Sequence, residues 1–362
     1  MKKLSSTQKA IFLALALILA LGVSRCSPGY VLRAGIEEAK ILRRRRPISD
    51  VISDPSTSAT ERNKLLLVLA ARAFAEHQLG LAANESFTTY SWVDSDTLLM
   101  VVSGARKDKF VPYLWWFPIV GSVPYKGYFN FESADREAAK LEDKGYDASV
   151  RPSGAFSTLG WFNDPLLNTI LRYSDVSLAE TVVHEITHNS LYLAGQAGFN
   201  ESFANFVGDR GAALFFCTRE GNDDNRCKTA TNSWLDNITF GTALSDLVAR
   251  LEHVYNNAGL SVSQKVSIRD TVFSNWRVSY KSDVVPKFRT LSFRSYADQP
   301  LNNARLIGTR LYYEHLDLFE QVYQRYGGDL RASSSAIMVA ARKNPKDPFA
   351  GVRSLLSSTG PR

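Results

Sequence analysis

A chain of 362 residues that is 45% hydrophobic and 11% aromatic carries enough apolar mass for a large buried core, and 22% charged residues with ordinary glycine and proline content exclude disordered, collagen-like and low-complexity classes. The formal net charge of +7 is weighted toward the start of the chain, where Arg43, Arg44, Arg45 and Arg46 form one run. No zinc-knuckle spacing and no aromatic-basic RNA-binding pattern accompanies that run, so it reads as a solvated or membrane-facing patch and no nucleic-acid partner is expected.

At the N-terminus, Lys2, Lys3 and Lys9 precede an apolar run from Ala10 to Val23 and then small and polar residues, the layout of a secretory signal. The run is shorter than the ~20 apolar residues that span a bilayer comfortably. Cys26 stands where an exported lipoprotein carries its acylated cysteine, but Arg25 occupies the preceding position, where that processing needs a small residue. A cleaved signal, an atypical lipoprotein and a retained anchor are the three options for residues 1–26. Arg25, Arg33, Lys40 and the arginine run follow the apolar segment and favour a cytoplasmic body. Cys217 and Cys227 flank a short polar loop and either close a disulfide in an oxidising compartment or remain free thiols. The reading adopted is export to the periplasmic side with membrane attachment, a cytoplasmic orientation being the alternative.

A basic juxtamembrane segment over 27–59 ends in the turn-rich DPSTSAT, and one domain is expected over 60–350 with a tail at 351–362. Thr60 to His77 reads as a helix. YSWVDSDTLLMVVSGA and FVPYLWWFPIVGSVPYKGYF read as strands, SADREAAKLEDKGY as a helix ending at Gly145, and DASVRPSGAFSTLGWF as extended chain. After the midpoint the patterns are helical, most clearly LSDLVARLEHVYNNAG and ARLIGTRLYYEHLDLFEQVYQRYGG. The expected class is therefore α+β, with a mixed first lobe and a mainly helical second lobe.

Between the lobes, SLAE from Ser177 to Glu180 has the form of a capping box that opens a helix through TVVHEITHNSLYLA and stops near Gly195. In that helix His184 and His188 are separated by about one turn and about 40 degrees, so both imidazoles reach one ion. Glu185 beside them can hold and deprotonate a water on the metal. On an uninterrupted helix Glu201 would lie about 25 Å away. Gly195 and Gly198 permit a turn, with Asn200 as a candidate N-cap and Glu201 as the third ligand in the next helix. His77, His253 and His315 stand alone in helical patterns and read as surface or packing residues.

HEITH followed by NESFA, with WFPIVGSVPYKGYF and STLGWFNDPLL before it and LNNARL after it, resembles the bacterial putative aminopeptidase family, exported proteins of the zincin type. The resemblance implies a zincin-like metallopeptidase fold and one Zn²⁺ held by His184, His188 and Glu201, with Glu185 as general base and a peptide as substrate. Thermolysin-like relatives buttress a histidine ligand with a carboxylate four residues after the third ligand. Here that position is Asn205, and Asp209 one turn on is a candidate substitute. Gly154-Ala155-Phe156-Ser157-Thr158 lies where better-characterised aminopeptidases place an ammonium-binding glutamate and contains none, leaving Asp164 as the nearest acid. The same stretch is a candidate edge strand for substrate pairing. Transition-state donors are sought in Tyr296, Arg305 and Tyr312, with Arg305 and Tyr312 preferred although Tyr312 and Tyr313 are expected on a helix. Two alternatives stay open: a zinc hydrolase of a non-peptide amide such as a cell-wall fragment, and a non-catalytic anchored binding protein with a vestigial core.

Overall fold

A short strand β1 (Arg46–Pro47) pairs antiparallel with β2 (Thr89–Ser91), which pairs parallel with β8 (Leu166–Leu167). The computed structural model describes residues 39–94, 99–117, 121–153, 165–290 and 292–357. Cys26 and the N-terminal apolar run, Gly154 to Thr158, and Asp164 lie outside them. Helix α1 (Ile48–Ser53) precedes α2 (Ala59–His77), capped by the Ser58 side chain, which accepts from the Glu61 N–H at 3.2 Å. No helix among the described residues is long and apolar enough to cross a membrane.

The second sheet is antiparallel, in the order β6-β3-β7, with β3 (Leu99–Arg106) between β6 (Tyr125–Tyr128) and β7 (Tyr146–Ser153). Strands β4 (Trp115–Phe117) and β5 (Gly121–Val123) form a separate antiparallel pair. Alternation along β3 splits its faces. Met100 and Val102, with Ala148 and Val150 of β7, pack on Ala134 and Leu141 of α3 (Phe131–Asp143). On the opposite face Val101 stands across from Gly127 and Arg151, and Ser103 across from Tyr125 and Ser149.

The remaining chain is helical: α4 (Asp175–Ser190), α5 (Ala197–Glu220), α6 (Asn225–Tyr255), α7 (Val262–Ser279), α8 (Asn303–Arg310), α9 (Leu316–Arg325), α10 (Leu330–Lys343) and α11 (Pro348–Ser357). The molecule is thus α+β, with small sheets and a helical majority. Helix α5 is buried along most of its length, with phenylalanine, valine, alanine and glycine on its core side. Phe199 and Phe203 meet Phe319 of α9 edge-on and Phe206 stacks on it, at centroid distances of 5.6–5.8 Å, and all four are at most 1% exposed. Each such ring contributes about 1.5–3 kcal/mol by burial, which fixes α5 as the axis of the main core. Helix α8 packs on β3 and β7, on the Val101 face: a Cβ at Gly308 would lie 4.0 Å from Ser103 Oγ. Cys217 near the end of α5 forms a disulfide with Cys227 in the first turn of α6, closing a ten-residue separation.

Three local expectations change. The cap of α4 is Ser174, whose Oγ accepts from Ser177 N–H at 3.1 Å, so the helix opens three residues before the predicted box and Glu180 falls in its second turn, buried. The helix ends at Ser190, and α5 begins at Ala197 after a turn containing Gly195 at φ +77°. Asn200 is inside α5 rather than capping it. Its amide takes the Leu193 N–H at 3.0 Å and gives one to the Leu193 carbonyl at 2.9 Å, clamping the turn to the helix. Finally, the long pattern from Ala304 to Gly328 breaks into α8 and α9, because residues 311–315 form a turn ending at left-handed His315, φ +52°.

Helices α4 and α5 approach closely because glycine occupies their contact. A Cβ at Gly208 would lie 3.0 Å from the Glu180 carbonyl oxygen and 3.2 Å from His184 Cβ, and one at Gly211 would lie 3.0 Å from Val183 Cγ1. Gly208→Ala gains up to about 1 kcal/mol of helix propensity, but overpacking against backbone costs about 1–3 kcal/mol. The variant is expected to unfold at lower urea concentration than wild type, and an unchanged or raised midpoint would contradict this packing.

Candidate metal centre

His184 and His188 project from the same face of α4, and the clamped turn at 191–196 sends α5 back so that Glu201 meets them. His184 Nε2 and His188 Nε2 are 3.2 Å apart, and Glu201 Oε2 lies 3.4 Å from the first and 3.8 Å from the second. A tetrahedral ion with bonds of about 2.0–2.1 Å holds neighbouring donor atoms about 3.3 Å apart. The three atoms therefore have the spacing of ligands around one small cation, and two imidazoles with a carboxylate are the donor types that suit a borderline-soft divalent ion. These residues could hold a metal ion.

Burial and mutual contact set the charges of the three groups. Burial alone would lower the His184 pKa, but its hydrogen bond to Glu201 and the negative charges of Glu185 and Glu201 outweigh this and raise it. Burial, with the charge of His184, drops His188 to about 4, so its ring is neutral at physiological pH, the state in which an imidazole can ligate a metal. Burial pushes Glu201 upward, yet the hydrogen bond from His184 and the positive charge of the pair hold it below its usual range. The arrangement stabilises positive charge at the point where the three atoms converge.

A second ring of contacts orients the site. Asn205 stands beside His184 and favours its charged form, and its own amide N–H goes to the Tyr312 carbonyl at 2.7 Å, which leaves its oxygen toward the imidazole. Ser202 Oγ donates to the Leu311 carbonyl at 2.9 Å and accepts from Glu314 N–H at 2.8 Å. One face of α5 thus grips the 311–315 turn and sets the Tyr312 ring against His184, 6.4 Å between centroids and 25° from parallel. Tyr312 stands on this turn and not on a helix. Burial, then Glu201, pushes its phenol to about 12, so it remains a hydrogen-bond donor at neutral pH.

Asp209 does not substitute for the missing buttress. It is buried behind the histidine helix, hydrogen-bonded to Glu180 and accepting from Asn237 Nδ2 at 2.8 Å. Arg305 is likewise spent elsewhere: its guanidinium donates to the Pro300 and Tyr296 carbonyls, both at 3.0 Å, and covers the Tyr296 ring at 4.5 Å. Tyr296 gives its hydroxyl to Thr309 Oγ1 at 3.3 Å. His315 is exposed and packs edge-on against Phe349, and His77 ends α2, where its carbonyl accepts from Arg331. Sequence reading missed Arg151 and Tyr125, whose positions follow only from strand register, and Tyr192, an exposed aromatic in the turn between the two site helices.

A family model described as Putative aminopeptidase matches residues 29–347. The chain belongs to that family. No curated protein and no solved structure matches it. Within the matched span the family chain carries the whole of the cluster, the 311–315 turn and the Glu180–Asp209 pair behind it.

That pair yields a pH dependence. Burial raises Glu180 from 4.5 to about 7, and burial together with Glu180 raises Asp209 well above the usual carboxylate range. Both acids bind protons more tightly folded than unfolded, so their contribution is full below the unfolded values and is lost as pH rises through the folded ones. Stability should decline between about pH 4.5 and 7 and above. Asp209→Asn is expected to raise the Tm relative to wild type more at pH 8 than at pH 5, measured by thermal denaturation. An equal shift at both values would contradict the shared-proton account.

Proposed function

We propose that this chain is a zinc-dependent peptidase, with His184, His188 and Glu201 as metal ligands and Glu185 as general base. The observation that carries the reading is the convergence of two imidazole nitrogens and one carboxylate oxygen at ligand spacing, with Glu185 beside His184 on the same helix, in a member of an aminopeptidase family. A zinc ion in such a set would polarise the scissile carbonyl and acidify the attacking water. Glu185 accepts the proton of that water and returns it to the leaving amine nitrogen as the carbon–nitrogen bond breaks. Tyr312, protonated at neutral pH, donates to the carbonyl oxygen as negative charge builds there. Asn205 serves as the positioning residue that ties His184 to the Tyr312 turn.

The compartment belongs to the same proposal. The Cys217–Cys227 disulfide supports an oxidising environment, and the lysine-flanked apolar run at the N-terminus supports export with attachment to the membrane on the periplasmic side.

The purified full chain, loaded with zinc, is expected to hydrolyse peptides, and Glu185→Gln is expected to lose about 10²-fold or more in kcat while keeping its zinc. Retained activity in that variant would sink the base assignment. Parallel assays on peptides with free and acetylated N-termini decide the exopeptidase label: equal rates on both would remove it.

A further inference from the structure

The sheet face that looks toward the metal-ligand cluster carries a cation, Arg151, whose side chain has no hydrogen bond or ion pair among the described residues. Arg151 stands opposite Val101 in the β3/β7 ladder, and Tyr125 stands opposite Ser103 in the β3/β6 ladder, so both side chains leave the sheet on the face that α8 covers. Helix α8 runs directly into the 311–315 turn that lays Tyr312 on His184. Arg151 and Tyr125 extend past the covered part of this face and are exposed. Tyr192, 63% exposed in the turn joining the two ligand helices, stands within electrostatic reach of Tyr125. The charge of Arg151 also acts on Glu201, Tyr125 and Tyr312, in keeping with the face on which the strand register sets it.

Other arginines in this chain are spent on partners. Arg269 is held by Asp147 at 2.8 Å and by Asp270, Arg210 by Glu320, and Arg305 by two backbone carbonyls. The Arg151 guanidinium makes no hydrogen bond and no ion pair among the described residues. A planar fork of donors left unpaired beside a peptide-hydrolysing centre matches a carboxylate and repels an ammonium group. The acids whose charges act on Tyr312 are Glu201 and Glu185, which the mechanism already uses as ligand and base.

On the peptidase reading above, we infer that Arg151 is a substrate-binding residue for a carboxylate, with Tyr125 and Tyr192 as its aromatic flanks, and that the preferred substrate is a short peptide carrying a carboxylate close to the scissile bond. The carboxylate is either the free C-terminus or an acidic side chain. A protein that selected only a free α-ammonium would have no use for this residue in this place.

The test compares binding of three dipeptide hydroxamates to the zinc-loaded full chain by calorimetry: one with a free C-terminal carboxylate, one amidated, and one amidated with a glutamate side chain. At least one carboxylate probe is expected to bind tenfold or more tighter than the neutral amide, and which of the two does so identifies the source. Arg151→Ala should bring that advantage below threefold with zinc content unchanged, and Arg151→Lys should restore part of it. Equal binding of all three probes by the wild type, or a full preference kept by Arg151→Ala, would overturn the subsite while leaving the peptidase reading intact. Failure of every probe to bind a zinc-loaded chain would overturn both.

Discussion

Two helices can share a ligand set only if their backbones come close enough for short side chains to meet, and here that distance is set by glycine. At Gly208 the backbone of α5 lies against the Glu180 carbonyl and the Cβ of His184, and at Gly211 it lies against Val183. The turn before α5 sets the direction of approach: Asn200 closes both polar groups of Leu193, and Gly195 takes the left-handed conformation that a side chain would oppose. With spacing and direction fixed, Glu201 has one place to go. The cluster of α5 phenylalanines around Phe319 then holds the helix against displacement.

The same helix organises the polar contacts of the site along one side. Glu201, Ser202 and Asn205 fall on one side of α5, within little more than one turn, and divide the work. Glu201 meets the histidines, Ser202 ties down both ends of the 311–315 turn, and Asn205 links His184 to the Tyr312 carbonyl. Hydrogen bonds of this kind are short and geometrically demanding, so one rigid helix serves them better than separate loops. An amide at position 205 changes the electrostatics as well. It orients the imidazole without adding a negative charge behind it, which leaves a ring less electron-rich than a carboxylate partner would give.

Much of the centre was legible because its chemistry is local. The four-residue spacing of His184 and His188, the adjacent Glu185, and the need for a turn before Glu201 all follow from helix geometry. The strand and helix order of the first lobe also followed from alternation and turn residues. What did not follow depended on contacts between distant segments. Ser174 and Ser177 are both competent caps, and only the packed start of α4 chooses the first. The pattern from Ala304 to Gly328 reads as one helix until α5 bonds to the carbonyls of Leu311 and Tyr312 and the chain turns at His315. Arg305 looked like a charge available for catalysis because its partners are backbone carbonyls, which leave no mark in a sequence. Arg151 escaped notice for the opposite reason, since its placement depends on strand register and not on any local pattern.

The central claim is that one divalent ion sits between His184, His188 and Glu201. X-ray absorption at the zinc edge of the full-length chain tests it most directly. The account predicts one zinc per chain with two imidazole nitrogens and a carboxylate oxygen in its shell, and loss of stoichiometric metal in Glu201→Ala. Zinc that is substoichiometric, or bound with the same ligand shell after Glu201→Ala, would contradict it.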